Sequence, residues 1–514
     1  MAKRLNPFLF IITLLFVGQL SFAQSSYSPN RFLIVFDASA TQDDINEALE
    51  DLNCTEIWVS PISSTRLWEV NYFPFEYPPT NTTIYNINEE NSTARNRAKV
   101  QEAGLDYAAE EITDLTDSAI PGGNSYDHQM DCYGLVSSYA ATDVNSVEVG
   151  VFDTGFTYPE ITEYQEYYFT IKDYIQHDYL ENDQIAEDFH GHGTHISSVI
   201  AHLSNKDANL HGYVPPDVSF NMCKTFDNSG YGYIAEIIYA FEEAVIAGLH
   251  IANFSWSFKE TREEAELSPL RHCIEHVLSD YDVLMVCAAG NNGEDIDDNL
   301  VMPNWPAAYT FNNILTVGTF DCSDDLASFS NYGDKSVDIV APGYKIAGLT
   351  SEGLTYKTGT SQSTSIVTAV AATLATHQTE FDASEIKCAI ILGASETFEL
   401  NPKTVSNGYL NTNNALSILG LCFPTKRKND TALNKDQIYP NPLVGNDVTI
   451  KFNADEEDNY LLSLYNQLGQ LVEQLNVSAQ LGYNDAEFKI NDSGLYLLEI
   501  SNKKKKRKHK IIKL

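Results

Sequence analysis

Short apolar runs separated by helical stripes dominate the middle of the chain. Between Ser146 and about Cys422, "VEVGVF", "VSFNMCKT", "LHIANFS", "DVLMVCA" and "ILTVG" read as buried strands. Between them, "YIAEIIYAFEEAVIAG" sets Ile234, Ile237, Ile238, Phe241, Ala244 and Val245 on one helical face and stops at Gly248. Strands alternating with helices predict an α/β fold, a parallel sheet covered by helices on both faces. In such sheets the working groups gather in loops at the carboxyl ends of the strands.

The flanks follow other patterns. "RFLIVFD" (Arg31 to Asp37) and "STRLWEVNYF" (Ser64 to Phe73) read as strands around a capped amphipathic helix, "TQDDINEALEDL". They predict a small α+β unit, followed by a polar, turn-rich stretch to about Asp127. After a polar linker, residues 423–437, the last module (438–514) alternates in period two through "DVTIKFN", "YLLSLYNQLGQLVEQL", "AEFKI" and "LYLLEIS", as antiparallel strands do. At the other end Lys3 and Arg4 precede the apolar run Pro7 to Gly18, with Ser21 and Ala23 spaced as a cleavage site. This predicts a signal peptide over residues 1–23 and an exported chain beginning near Gln24. The apolar run falls short of the ~20 residues of a membrane span, so no transmembrane segment is expected.

Charge narrows the function classes. The chain carries a formal net charge of −39, and eight of its 32 Lys and Arg lie in the last twelve residues. The body before them holds 24 basic residues against 71 acidic ones, which would repel nucleic acid. Eight widely spaced cysteines match neither a small disulfide scaffold nor a zinc site. Cys223 and Cys287 fall in strand-like runs and are expected as buried free thiols.

Candidate chemistry begins at "VFDTG". An Asp-Thr-Gly there serves either a carboxylate pair sharing a proton across about 3 Å or an aspartate that orients a histidine. The first choice needs a second aspartate, and "NDSGLY" offers Asp492, but in the separate last module. The second finds its partners in order: "DFHGHGTHISSVIAHL" with His190, His192 and His195, "CAAGNNG" with Asn291, and "YKTGTSQSTSIVTAVAATLA" with Ser361. Each lies at a strand end or a helix start.

The series "VFDTG", "HGTH", "AAGN" and "GTS" resembles that of the subtilisin-like serine proteases, the subtilases. Softer matches such as "WPAAY" and "SFSNYGDKSVDIVAPG" extend the resemblance over about Val147 to Leu374. One such motif is weak, but four in register are specific. The resemblance implies a subtilisin-like catalytic domain over residues 128–422 and a serine endopeptidase acting through an acyl-enzyme, with no cofactor for the chemistry. It implies Ser361 as nucleophile, His192 as general base, Asp153 as its orienting partner and Asn291 as an oxyanion donor beside the Ser361 N–H. His190 and His195 are given structural roles. Ser229, Gly230 and Tyr231 resemble an edge that pairs with an extended peptide. Ser255, Trp256 and Ser257, with Ala288, Ala289 and Gly290, correspond to the walls of a substrate pocket. Two departures stand out: "QSTS" follows the serine, placing Gln362 beside it, and Ser257 replaces a glycine.

The flanks extend the resemblance. Residues 24–127 resemble an inhibitor-type propeptide with its connecting segment, which implies a self-processing zymogen. The last module, with "IYPNP", "SGLYLLEI" and a basic end, resembles the sorting domain of type IX secretion. Implied partners are protein or peptide substrates, the chain's own propeptide and the type IX secretion machinery. The implied address is the cell surface or the medium. The acidic loop Gly293 to Asn299 offers oxygen ligands for structural calcium, though in no specific spacing. A surface binding protein on a degenerate protease fold is the alternative from another class.

Overall fold

The computed structural model describes residues 27–36, 40–51, 54–70, 100–111, 146–157, 174–203, 218–320 without 267 and 299, 325–420 without 398, and 437–513 without 440–445, 455–457, 467–469, 481, 493 and 503–505. The expected signal peptide, the connecting segment from 112 to 127, the linker up to 436, and Cys132, Cys322 and Cys422 lie outside the described residues. The chain forms two compact units, residues 1–58 with 66–108 and residues 59–65 with 109–514.

The smaller unit contains β1 (Tyr27–Phe36), α1 (Gln42–Asp51), β2 (Cys54–Val59), β3 (Arg66–Val70) and most of β4 (Val100–Glu111). Strand β1 pairs antiparallel with β3, Phe32 opposite Trp68, and with β4, Leu33 opposite Gly104. Helix α1 opens on a reciprocal cap: Asp44 Oδ2 accepts from the Thr41 N–H at 2.7 Å, and Thr41 Oγ1 accepts from the Asp44 N–H at 3.3 Å. Leu33, Ile34, Val35, Ile45, Ala48, Leu67 and Trp68 are buried. Strands β2 and β4 correct the sequence reading, which saw turn-rich chain where β4 lies. "VQEAGLDYAAEE" is rich in Ala and Glu, poor strand formers, and pairing with β1 overrides that preference.

In the larger unit, β5 (Val147–Asp153), β6 (Tyr174–Asp178), α2 (His192–Leu203), β7 (Val218–Lys224), β8 (Tyr231–Tyr233), α3 (Ile234–Ile246), β9 (Ile251–Phe254) and β10 (Trp256–Lys259) come first. Next are α4 (Arg262–Glu266), α5 (Pro269–Asp280), β11 (Leu284–Ala288), β12 (Asn304–Trp305), β13 (Ile314–Phe320) and β14 (Ile339–Pro342). The hairpin β15 (Ile346–Thr350) and β16 (Gly353–Lys357), α6 (Thr360–Thr376), α7 (Ala383–Leu392), β17 (Ser395–Glu396), β18 (Gly408–Tyr409) and α8 (Thr412–Ile418) complete this part. Nine strands form one sheet in the order β17-β18-β14-β13-β11-β9-β5-β7-β6. Pairing is parallel throughout except between β17 and β18, as the alternating pattern implies. From β5 the chain passes to the edge strand β6 and back to β7 on one side, then to β9, β11, β13 and β14 on the other. The strand order therefore reverses at β5, the place where such sheets open a crevice.

Helix α3 ends where the sequence places its stop, with Gly248 at φ +102°. Helix α6 is buried along its whole length. Its small residues let the sheet and α2 pack closely. Several of its hydroxyls are satisfied by the helix itself, with Thr364 Oγ1 donating to Thr360 O and Thr373 Oγ1 to Ala369 O. Val149, Val151, Ile196, Ile200, Val286, Leu315, Ile366 and Val370 join in one core. Cys54, Cys223, Cys273 and Cys287 are buried free thiols, and Cys388 is disulfide-bonded.

The last module holds β19 (Gln437–Tyr439), β20 (Asp447–Ala454), β21 (Asp458–Asn466), β22 (Leu471–Ala479), β23 (Gly482–Lys489), β24 (Gly494–Ser501) and β25 (Lys506–Lys513). They form two antiparallel sheets, β19-β20-β23 and β22-β21-β24-β25. The sheets share a core of Val448, Ile450, Phe452, Leu462, Leu464, Leu498 and Ile500, distinct from the core around α6. Among the described residues no helix is long and apolar enough to cross a membrane.

Separate cores make a testable claim. Deleting Ile438 to Leu514 should leave the thermal midpoint of the remaining chain within about 2–4 °C, the shift that ~1 kcal/mol brings in mid-sized domains. A larger fall in a calorimetric scan would show that the modules stabilise each other.

Candidate active site

Asp153 ends β5, next to the strand-order reversal, and is buried. Its Oδ1 accepts from the Thr154 N–H at 2.8 Å and faces His192 Nδ1 at 2.7 Å. His192 opens α2 and is fully buried. The two elements are tied by a carboxylate that sequence reasoning passed over. Asp188 Oδ1 accepts from the Gly191 N–H (2.7 Å), the His190 N–H (3.0 Å) and Thr154 Oγ1 (2.9 Å). Its Oδ2 accepts from Thr194 N–H (2.8 Å) and Thr194 Oγ1 (2.6 Å). Thr154 Oγ1 in turn accepts from the Gly193 N–H at 2.9 Å. A side chain at Gly193 would run into the Gly155 carbonyl and the Asp153 Cβ, so only glycine lets α2 approach β5 this closely. "DTG" and "HGTH" are thus the two halves of one joint. The signal for Asp188 was an acidic residue just ahead of a helix start.

The other two histidines have separate surroundings. His195 Nε2 donates to Ile346 O at 3.2 Å inside the core, a structural use. Burial first, then the neighbouring His192, lowers the pKa of His190 and keeps it neutral near His192 at pH 7.

Ser361 lies on the first turn of α6, after Gly359 at the N-cap. Its Oγ donates to Ser255 O at 3.4 Å, and Ser255 Oγ donates back to Ser361 O at 3.3 Å. Asn253 and Thr368 support this contact: Asn253 Nδ2 donates to Ser255 Oγ at 3.0 Å, and Thr368 Oγ1 to Asn253 Oδ1 at 2.9 Å. Beyond β11, Asn291 Oδ1 accepts from the Thr360 N–H at 2.9 Å and Thr360 Oγ1 at 3.0 Å. These bonds fix which end of the amide is the acceptor.

The loop carrying Asn291 is held by Asn331, a second residue the sequence reading did not single out. Asn331 Nδ2 donates to Ala289 O (2.9 Å), and its Oδ1 accepts from the N–H of Asn292 (3.1 Å) and of Glu294 (3.0 Å). Gly290, at φ +107°, leaves no room for a Cβ against Asn331 and Asn304. Ala288 and Ala289 are fully buried at the end of β11. Ser257 Oγ accepts from Asn304 Nδ2 at 2.8 Å, so a polar pair stands at the position of the missing glycine.

Strand β10 carries Trp256 and Ser257 on an edge already in use. Trp256 lies opposite Glu111 and Ser257 opposite Glu110, antiparallel. The indole of Trp256 is buried against Phe226 and Phe254. Ser229, Gly230 and Tyr231 form the turn into β8, gathered by Asp227, whose Oδ1 accepts from the Ser229 N–H (2.8 Å) and the Tyr231 N–H (3.1 Å).

Carboxylates of the acidic loop meet donors from the chain itself. Asp295 Oδ1 accepts from the Asp297 N–H (3.0 Å), and Asp297 accepts from the Lys335 N–H (2.7 Å) and Ser336 Oγ (2.5 Å). Glu294 pairs with Lys259 at 3.1 Å. Among the described residues no group of three or more His, Cys, Asp or Glu side chains is placed to hold a metal ion. Asp492, the other Asp-Ser-Gly aspartate, belongs to the last module, where its carbonyl accepts from the Tyr496 hydroxyl at 2.7 Å.

Comparison with known proteins agrees with this geometry. The model of the subtilase family matches residues 145–434, and that of the secretion system C-terminal sorting domain matches residues 437–514. The thermophilic serine proteinase of Bacillus sp. (strain AK1) is 32% identical over 254 residues, 48% of this chain and 57% of that protein. The chain thus spans little more than half of that relative. Subtilisin Savinase of Lederbergia lenta is 32% identical over 231 residues, 44% of this chain and 76% of that protein. Among solved structures, fervidolysin from Fervidobacterium pennivorans, a keratinolytic enzyme related to subtilisin, shares the fold. It has a TM-score of 0.57 at 17% identity, over 96% of this chain and 77% of that one. The chain belongs to the subtilase family, and it ends in a secretion system C-terminal sorting domain that marks it as a secreted or cell-surface protein.

Proposed function

We propose that this chain is an exported serine endopeptidase, made as a zymogen that cuts itself. The observation that carries the reading is the juxtaposition at the carboxyl ends of β5, β9 and β11. Asp153 bonds to His192 Nδ1 at 2.7 Å. Ser361 leans on Ser255, and Asn291 is anchored by its oxygen to Thr360.

The chemistry follows from those positions. Ser361 Oγ attacks the carbonyl carbon of the scissile bond while His192 Nε2 takes its proton, because an unassisted hydroxyl is a poor nucleophile at neutral pH. Asp153 holds the imidazole in the tautomer whose Nε2 accepts a proton and stabilises the cation that results. The oxyanion of the tetrahedral species receives hydrogen bonds from Asn291 Nδ2 and the Ser361 N–H, at the positive end of α6. Collapse breaks the C–N bond, and His192 returns the proton to the leaving amine. A water then repeats the sequence, giving a carboxylate and free Ser361. Substrate backbone binds in extended form along β10, by strand addition.

The self-processing half rests on β4. Glu110 and Glu111 already pair with Ser257 and Trp256, and the next residue of β10's own strand path, Ser255, holds the Ser361 hydroxyl. A tethered segment has a high effective concentration, so the chain's own bond just past Glu111 is the first substrate.

Active-site labelling tests the reading directly: a fluorophosphonate should modify Ser361 in the processed protein, and failure to label would favour a binding protein on an inactive scaffold. Asn291→Ala should lower kcat by about 10²–10³ with little change in KM, since its bond forms mainly in the transition state. An unaltered kcat would remove Asn291 from the oxyanion site. Ser361→Ala, made without other proteases, should give a precursor whose intact mass includes residues from about Gln24, whereas the active protein should begin a few residues past Glu111. Maturation of the alanine variant to the same mass would overturn self-processing. Without Ile438 to Leu514 the protein should be retained in the periplasm, and normal release into the medium would exclude type IX export.

A further inference from the structure

Thr319, near the carboxyl end of β13, and Ser363, on the first turn of α6, are fully buried, and their hydroxyls meet at 2.7 Å. The chemistry at Ser361 uses neither. Ser363 Oγ donates its hydrogen to Ala341 O at 3.0 Å, so Thr319 Oγ1 is the donor between the two hydroxyls. A side chain at Gly343 would run into Ser363 Oγ, Gly359 O and Thr319 Oγ1, so glycine there is what lets the pair form. Two apolar groups of the same shape would be about as stable in that place. Stability alone does not call for hydroxyls here.

The pair is the last link of a chain of bonds that starts at the loop carrying Asn291. Asn331 holds that loop through both ends of its amide, and its N–H donates to Gly290 O at 2.9 Å. Asn331 O accepts from Ser330 Oγ at 2.9 Å, and Ser330 Oγ accepts from the Thr319 N–H at 2.8 Å. Thr319 then reaches Ser363. The same loop also meets α6 directly, where Asn291 Oδ1 accepts from the Thr360 N–H and hydroxyl. Thr360 and Ser363 are three residues apart, so they lie about 60° from each other around the helix and about 4.5 Å apart along it. The loop is therefore attached at two heights on one side of α6. A single attachment at Thr360 would leave it a pivot, and the second removes that freedom.

We propose that Thr319 and Ser363 are positioning residues for the reaction at Ser361. Their hydroxyl pair fixes the height of the Asn291 loop against α6, and with it the place of the Asn291 amide relative to the Ser361 N–H. This rests on the serine-endopeptidase reading and adds to it a device outside the four groups named for the chemistry. Both hydroxyls act through Asn291.

The variants are chosen so that folding and positioning come apart. Thr319→Val combined with Ser363→Ala replaces the pair by apolar groups of similar shape and leaves neither hydroxyl unmet, so the thermal midpoint should hold within about 2–4 °C. On a peptidyl p-nitroanilide its kcat should nevertheless fall about tenfold, with KM within about twofold. Added to Asn291→Ala, the same two substitutions should bring no further loss, because the residue they act through is gone. Thr319→Ser keeps the hydroxyl and should hold kcat within about twofold. An unaltered kcat in the double variant would overturn the proposal, as would a fresh tenfold loss on top of Asn291→Ala. So would a tenfold loss in Thr319→Ser, or a much lower thermal midpoint in the double variant, since either makes the pair a matter of packing. Each of these, with the unsubstituted protein cleaving normally, sinks the Thr319–Ser363 role alone. No cleavage and no fluorophosphonate labelling of the unsubstituted protein sinks the endopeptidase reading and this role together.

Discussion

The site depends on one buried carboxylate that takes no part in the chemistry. Asp188 gathers five donors, three on one oxygen and two on the other, from the strand end that carries Asp153 and the helix start that carries His192. A buried carboxylate is tolerated only when its lone pairs are filled, and here filling them fixes two elements in one geometry. Each donor left unmet would cost about 1–3 kcal/mol, so the joint is closed or the site is absent. The 2.7 Å contact between Asp153 and His192 is a consequence of that joint, and Gly193 is what lets the surfaces meet.

The nucleophile side uses the same logic with neutral groups. Asn331 binds the backbone of residues 289–294 from both ends of its amide, and Asn291 is then pinned to Thr360. Two side chains of one kind do different work. Asn331 is spent on structure through both ends of its amide, whereas Asn291 meets Thr360 through its oxygen. In the proposed oxyanion role, a donor held in this way would need no rearrangement when charge develops.

Much of this was legible in the sequence because the chemistry is written in short runs next to strand ends. Asp153, His192, Asn291 and Ser361 could be named, and the parallel sheet that brings them to neighbouring strand ends follows from the alternation of apolar runs and helical stripes. What escaped was whatever acts by gathering hydrogen-bond donors that only the folded backbone brings together. Asp188 reads as one acid among 71 acidic residues, and Asn331 as a loop amide, until the backbone N–H groups they satisfy are known. Strand β4 escaped for another reason: its Ala and Glu content favours helix, and pairing with β1 and β10 makes it a strand. The hairpin of β21 and β22 looked like one long alternating run because its turn lacks proline and glycine signals strong enough to split it.

On the proposed zymogen reading, the way β4 ends bears on how the cleft would be emptied. The residues opposite Trp256 and Ser257 are two glutamates, on a chain whose net charge is −39. Electrostatics therefore contribute nothing favourable at long range to holding this segment, and salt screens what repulsion exists beyond about 10 Å. Its hold comes from backbone pairing along β10 and from being part of the same chain. If the chain cuts itself past Glu111 as proposed, the tether is lost and the effective concentration with it. A neutral or basic extended peptide then makes the same backbone bonds without the charge penalty. On this physical ground, the acidic end of β4 suits a segment that must occupy the cleft during folding and leave it afterwards.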